Sequence, residues 1–292
     1  MTLNIKEILN KTEEYFKSRN ISSPRLDAEV LLADLLDTER VKLYVKFDYP
    51  LTDEEINKYR KMVKKRAQGT PVSYLTKKKE FMSLEFHVEP GVLIPRPETE
   101  ELVEKILDIV RGETDLSRKI VDVGTGSGAI LVSLLYYLPD AKGIGIDISD
   151  QAIRVARDNI KKFDLSQRSG LINGDLLEPL LPKKAGEIDL VVSNPPYISS
   201  KEYENLDKDV KSEPEEALHA GKDGLDIYKR LIPQAKELLR ENGLLALEIG
   251  DKQGKLIENL FSELDGWREF QLLKDGAGKD RFVFMRCGGG NS

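Results

Sequence analysis

From residue 119 onward, short apolar runs rich in Val, Ile and Leu alternate with stretches whose apolar residues recur at helical spacing, and this persists for about 170 residues. Such alternation admits few folds. It calls for a mostly parallel, doubly wound sheet with helices on both faces, because a parallel strand must be reached by a crossover. Strands are expected at 119–123, 143–148, 170–173, 189–193 and 244–249, with two closing strands at 270–273 and 281–285, seven in all. The helices between them are expected at 129–138, 150–163, 225–240 and 255–264. Sheets of this kind bind ligands at the carboxyl ends of their strands, so the residues just after each strand carry the functional information.

The fourth strand ends abruptly. Asp189-Leu190-Val191-Val192-Ser193 runs into Asn194-Pro195-Pro196-Tyr197, and two consecutive prolines cannot donate to a ladder. Asn194 is thereby placed at a strand end on stiff backbone, with Tyr197 a fixed distance beyond. A side-chain amide and an aromatic ring so placed suit the gripping of a flat polar group; taken alone, the four residues are equally a proline-rich turn.

The first strand opens into Gly124-Thr125-Gly126-Ser127-Gly128, a loop that lets a ligand approach the backbone. Leu131 stands where the last glycine of G-x-G-x-x-G would be, which departs from the dinucleotide fingerprint, and no Gly-Lys-Ser/Thr follows to make a phosphate loop. The second strand ends at Asp147, whose carboxylate can accept from both hydroxyls of a ribose. The third leads to Asp175-Leu176, an acid able to accept from an exocyclic amine of adenine and an apolar residue able to cover its ring. Each of these has a plain structural explanation by itself, as a tight turn, a helix cap or a surface acid. In order along one sheet edge they describe a site for an adenosine-containing cofactor, with its reactive end toward Asn194.

Residues 1–70 have a different character. Leu3, Ile5, Ile8, Leu9, Tyr15 and Phe16 follow helical spacing, a second stripe from Ala28 to Leu36 follows Ser23-Pro24, and Thr52 with Glu55 has the spacing of a capping box. A small helical bundle is expected. Residues 71–96 read as a β-hairpin linker: 80–88 alternates as one strand, Glu89-Pro90-Gly91 turns, and Val92-Leu93-Ile94 continues extended. Pro97 then opens a helix with carboxylates beside its positive end.

Charge separates the two parts. Residues 1–88 hold 17 Lys and Arg against 14 Asp and Glu, a net of +3; the remainder holds 28 against 37, a net of −9. An acidic main domain disfavours a dedicated duplex-DNA binder. The basic run 58–66 reads either as a solvated helix face or as a docking surface for an acidic partner. One cysteine, Cys287, excludes an intramolecular disulfide, and two distant histidines make a His-based metal cluster unexpected. With no signal-like start and no apolar run near the roughly 18 residues of a membrane span, a cytoplasmic protein is expected. Residues 287–292, glycine-rich, read as a flexible tail.

The glycine loop together with Asn-Pro-Pro-Tyr resembles the class I S-adenosylmethionine-dependent methyltransferases that act on planar nitrogens. Leu93-Ile94-Pro95-Arg96-Pro97-Glu98-Thr99-Glu100, Glu213-Pro214, Gly221-Lys222-Asp223-Gly224-Leu225 and Glu248-Ile249-Gly250 narrow the resemblance to the HemK/PrmC family. It departs at Thr76-Lys77, where a glycine is usual, and at Gly276, where an apolar residue is. The resemblance implies a Rossmann-like methyltransferase domain over 97–286, with the helical domain as a docking element. It implies a release factor as substrate, methylated on the glutamine of its Gly-Gly-Gln motif, with neither a metal, a membrane nor direct contact with nucleic acid required. S-adenosyl-L-methionine would lie with its methionine part by Gly124, Thr125, Gly126, Ser127 and Gly128, its ribose by Asp147, its adenine by Asp175 and Leu176, and Asn194 between it and the substrate. Asn194 and the Pro195 carbonyl would orient the amide, Pro196 stiffen the turn and Tyr197 pack on the substrate. The rivals are an N-methyltransferase acting on adenine or cytosine in nucleic acid, an NAD-dependent oxidoreductase disfavoured by the glycine spacing, and a non-catalytic cofactor-binding scaffold disfavoured by the intact Asn194.

Overall fold

A computed structural model describes residues 3–112 and 118–288. The chain forms two compact units, Met1–Lys78 with Asp207–Ser212, and Lys79–Leu206 with Glu213–Ser292.

The first unit is built of helices α1 (Ile5–Ser18), α2 (Pro24–Leu35), α3 (Arg40–Val45), α4 (Asp53–Ala67) and α5 (Val72–Thr76). Both long amphipathic helices start in capping boxes, Asn4 with Glu7 for α1 and the expected Thr52 with Glu55 for α4. Ile5, Leu9, Phe16, Leu31, Leu32 and Tyr59 are fully buried and form its core. The short α3 and α5 lie outside the expected pattern, since each is too brief to show a periodicity. Lys77, where the resemblance expects glycine, is left-handed at φ 59°, so the backbone keeps the conformation that glycine would adopt freely.

The basic run on α4 divides. Lys58, Arg60, Lys61, Lys64 and Lys65 are exposed, whereas Arg66 is buried. Its Nε donates to buried Asp27 at 2.7 Å and its Nη1 to Asp209 at 2.7 Å. Asp209 comes from the short segment, distant in sequence, that joins this unit.

In the second unit, β1 (Lys78–Phe81) and β2 (Leu84–His87) make a two-stranded hairpin. The expected single strand over 80–88 is therefore two, and the turn falls at Met82 and Ser83 rather than at residues 89–91. Both turn residues have positive φ, 51° and 58°, the geometry of a two-residue hairpin turn, adopted here without Gly or Asn to announce it. Residues 92–94 are not in a strand.

Helix α6 (Pro97–Gly112) precedes the alternating region: β3 (Lys119–Val123), α7 (Ala129–Tyr137), β4 (Lys142–Asp147), α8 (Asp150–Lys162), β5 (Ser169–Asn173), α9 (Leu181–Lys184), β6 (Ile188–Ser193), α10 (Ser200–Glu204), α11 (Asp226–Leu238), β7 (Leu239–Glu248), α12 (Gly254–Ser262), β8 (Trp267–Lys274) and β9 (Asp280–Cys287). The seven-stranded sheet has the order β5-β4-β3-β6-β7-β9-β8. All pairs are parallel except β7 with β9 and β8 with β9. Along β3 and β6 successive residues face opposite ways: Ile120, Leu190 and Val192 pack with α6 and α7, Val121, Val123 and Val191 with α11.

Two boundaries differ from expectation. The helix expected to reach residue 240 stops at Leu238, because Leu239 is extended, buried and paired with Ile188; Glu241-Asn242-Gly243, a turn by composition, is absorbed in a bulge of β7. At the other end Cys287, expected in the tail, closes β9 and is buried; residues 289–292 lie outside the described residues. No helix among the described residues is long and apolar enough to cross a membrane.

Removing one partner of a buried ion pair leaves an uncompensated charge. Arg66→Met should therefore lower the stability of the helical unit by about 3–5 kcal/mol, which chemical denaturation followed by helical circular dichroism will measure.

Candidate active site

The register of the sheet assembles the site. Val123 of β3 lies opposite Ile146 of β4 and Ser193 of β6, and Asp147 lies opposite Asn173 of β5. The glycine loop, Asp147, the turn after β5 and Asn194 thus leave the sheet side by side, on both flanks of the point where the chain's strand order reverses between β3 and β6. Ser193 Oγ donates to the Val123 carbonyl at 2.7 Å and locks the two strand ends together.

These strand ends open on a cavity of about 370 Å³. Gly124, Thr125, Gly126, Ser127, Asp147, Asp175, Leu176, Asn194, Pro195 and Pro196, all singled out from sequence, line it. Gly128 and Tyr197 do not. Gly128 is left-handed at φ 80° and caps α7, where a Cβ would meet Ala156 at 3.2 Å; it permits close helix packing rather than touching the cavity. Tyr197 is half-buried, and part of its ring packs against the core shared by β6, α11 and α12. Its carbonyl accepts from Gln253 Nε2 at 3.0 Å, and burial raises its hydroxyl pKa well above the usual phenol value.

Asp147 braces the glycine loop. One carboxylate oxygen accepts from the Gly126 N–H at 2.8 Å and the other from the Ser149 N–H at 2.9 Å. Each oxygen keeps a further lone pair for a hydroxyl entering from the cavity. Burial raises the Asp147 pKa, and the two backbone donors oppose that. Asp175, by contrast, is half-committed: its Oδ2 accepts from Arg230 Nη2 at 2.6 Å. The Gly124 and Gly126 backbones are left-handed, at φ 68° and 56°, which explains why glycine stands at both.

Several residues that build the site carry no signal of their own in the sequence. Asn159, fully buried on α8, donates to the carbonyls of His87 and Ser127 at 2.9 and 2.8 Å and accepts from His87 N–H, so it pins the loop to the hairpin. Glu213 accepts from Ile94 N–H at 3.1 Å and from Arg96 Nη2 at 2.5 Å, which holds the strap leading into α6. Thr99 and Glu248 adjoin Asn194 in a hydrogen-bonded chain. Arg96, Thr99, Glu213 and Glu248 all fall within the stretches that carry the family resemblance, and that was the available signal.

Asp122, beneath the loop, is entirely buried. Its Oδ2 accepts from Thr125 Oγ1 at 2.7 Å and Leu131 N–H at 3.2 Å, while Oδ1 has no partner among the described residues. Burial pushes its pKa up to about 7 against the pull of those two donors. The acids lining the cavity, Asp147, Asp175 and Glu216, outnumber its arginines, and both Arg96 and Arg230 are already ion-paired. An acidic, partly apolar cleft of this kind suits a ligand that is cationic at one end and aromatic at the other.

Residues 7–76 match the family model described as the PrmC N-terminal domain, and residues 115–280 match a methyltransferase domain. The chain is 42% identical over 279 residues to the release factor glutamine methyltransferase of Moorella thermoacetica, covering 96% of this chain and 97% of that one. This chain belongs to the HemK/PrmC family. A second HemK/PrmC relative, the release factor glutamine methyltransferase of Clostridium acetobutylicum, is 40% identical over 98% of this chain and 100% of its own. The solved 16S rRNA N2 G1207 methyltransferase of T. thermophilus, in complex with AdoMet and guanosine, shares the fold at a TM-score of 0.53 and 21% identity, covering 72% of this chain and 49% of that one.

The buried Asp122 yields a pH prediction for this HemK/PrmC chain. Between the ordinary aspartate pKa and about 7, the native state keeps a proton that the unfolded chain has shed, so the native state loses stability as pH rises through that window. Asp122→Asn cannot ionise and should lack this slope. Its stability relative to the parent should improve by about 2–4 kcal/mol between acid and neutral pH, as read from urea denaturation at each pH.

Proposed function

We propose that this chain transfers a methyl group from S-adenosyl-L-methionine to the side-chain amide nitrogen of the glutamine in the Gly-Gly-Gln motif of peptide chain release factors. Family membership over nearly the whole chain supports the substrate. The observation that carries the chemistry is that Asn194 and the Gly124–Ser127 loop line one cavity on the two sides of the β3–β6 junction.

Gly124 to Ser127 would hold the methionine part, Asp147 the ribose hydroxyls, Asp175 and Leu176 the adenine. The acidic lining fits the cofactor's positive sulfonium and ammonium groups. When bound, the cofactor supplies an electrophilic methyl group on its sulfonium sulfur. The protein's part is to make a poor nucleophile attack, since the lone pair of a carboxamide nitrogen is delocalised into its carbonyl. The Asn194 side-chain oxygen and the Pro195 carbonyl each accept one N–H of the substrate amide, which fixes the plane of the group and its distance. Positioning of this sort is worth several kcal/mol of a barrier, and acceptors aimed at a nitrogen gaining positive charge add electrostatic stabilisation. Pro195 and Pro196 hold those acceptors still.

Labelled S-adenosylmethionine should mark a release factor and leave its Gly-Gly-Gln→Gly-Gly-Ala variant unmarked; equal labelling would dismiss the proposed target. Asp147→Ala should weaken cofactor binding by about 1.5–3 kcal/mol, the scale of hydrogen bonds to a charged group. Titration calorimetry showing unchanged affinity would remove the ribose assignment.

A further inference from the structure

The side chain of Asn194 has an amide nitrogen and an amide oxygen, and only one of them can face the substrate. Its Nδ2 lies 2.9 Å from Thr99 Oγ1, and Thr99 Oγ1 lies 2.7 Å from Glu248 Oε2. Thr99 projects from the first turn of α6 and Glu248 ends β7, and they are only 4% and 1% exposed, so water does not compete for either group.

We propose that Thr99 and Glu248 are positioning residues for Asn194: the carboxylate accepts the hydrogen bond that the threonine hydroxyl can donate, leaving Thr99 Oγ1 able only to accept from Asn194, so that the Asn194 nitrogen turns to Thr99 and its oxygen to the substrate amide. This rests on the acceptor role given to Asn194 above and supplies the reason for it. A hydroxyl has one proton. Once it points to Glu248, the reverse orientation of Asn194 would set two lone pairs against each other in a dry site, where an unmade hydrogen bond is costly.

The relay has a direction that depends on charge. A protonated Glu248 could donate to Thr99, Thr99 could then donate to Asn194, and the amide would present its NH2 to a substrate that also offers N–H. The groups facing Glu248 are Thr99 and Glu98 from α6, Tyr197 after β6, Arg281 from β9, and Tyr228 from α11, whose hydroxyl donates to the Glu248 main-chain oxygen at 2.8 Å. Burial lifts the Glu248 carboxyl to about 7, and Glu98 adds to that; Thr99, Arg281 and Tyr197 draw it down. Acidification below neutrality should thus turn the relay around and slow methyl transfer.

The test compares kcat for methylation of a Gly-Gly-Gln release factor by the parent enzyme, Thr99→Val, Thr99→Ser and Asn194→Ala, with S-adenosylmethionine affinity measured in parallel. Thr99→Val keeps the shape and removes the hydroxyl; it should lower kcat about tenfold while cofactor affinity stays within about twofold. Thr99→Ser should restore kcat to within about threefold of the parent. The parent's kcat should fall on acidification below about pH 7, a limb that Thr99→Val lacks. Full kcat in Thr99→Val beside an inactive Asn194→Ala overturns the relay and leaves the acceptor role standing, whereas an active Asn194→Ala overturns the acceptor role itself. Should Thr99→Val fail to fold, the parent enzyme decides: a kcat flat across the acidic range overturns the relay.

Discussion

The parallel ladder that β3 makes with β4 on one side and β6 on the other determines where chemistry can occur in this molecule. Because Val123 is opposite both Ile146 and Ser193, three chain segments leave the sheet at one level. A register slip of one residue in β6 would turn its buried side chains to the wrong face and carry Asn194 out of the cavity. The hydrogen bond from Ser193 to the Val123 carbonyl opposes such a slip where it would do most harm. Hydrophobic burial on both faces of the sheet therefore sets the geometry of the site, and the polar residues inherit it.

The polar residues divide between those that meet a ligand and those that hold them. Asp147 does both, since it accepts from Gly126 while facing the cavity. Asn159, Glu213 and Gln253 only hold, each tying two or three backbone segments that are far apart in sequence. Such ties matter because the loops they secure make few regular hydrogen bonds of their own, and catalysis by positioning tolerates little play.

How much of this is legible without coordinates follows from the range of the forces involved. The seven strands and the four longer helices between them are visible because burial on a regular element leaves a period in the sequence, whereas α9 and α10 are too short to show one; the cavity-lining residues are visible because strand ends are where such sheets bind. What is hidden is non-local or local without a marker. Arg66 looks like one more member of a solvated basic run until Asp27 and Asp209 converge on it. The hairpin turn at Met82-Ser83 uses left-handed residues that are neither Gly nor Asn, so alternation on both sides reads as one strand. Tyr197 lies next to three cavity residues but does not itself line the cavity, and part of its ring packs against the core. Thr99 and Glu248 are 149 residues apart and acquire meaning only when α6 and β7 bring them together.

The partner of Arg66 also bears on how the helical unit comes into being. Asp209 lies 143 residues further along the chain, in the Asp207–Ser212 segment that joins that unit. Asp27 is available as soon as α2 has formed, but the second carboxylate is not made until most of the sheet's strands have been synthesised. During vectorial synthesis the amino-terminal helices can already bury the Arg66–Asp27 pair, and they gain the second, half-exposed carboxylate only from a segment that follows β6. The last step in completing the first unit to emerge belongs to the chain that emerges directly after the Asn-Pro-Pro-Tyr turn.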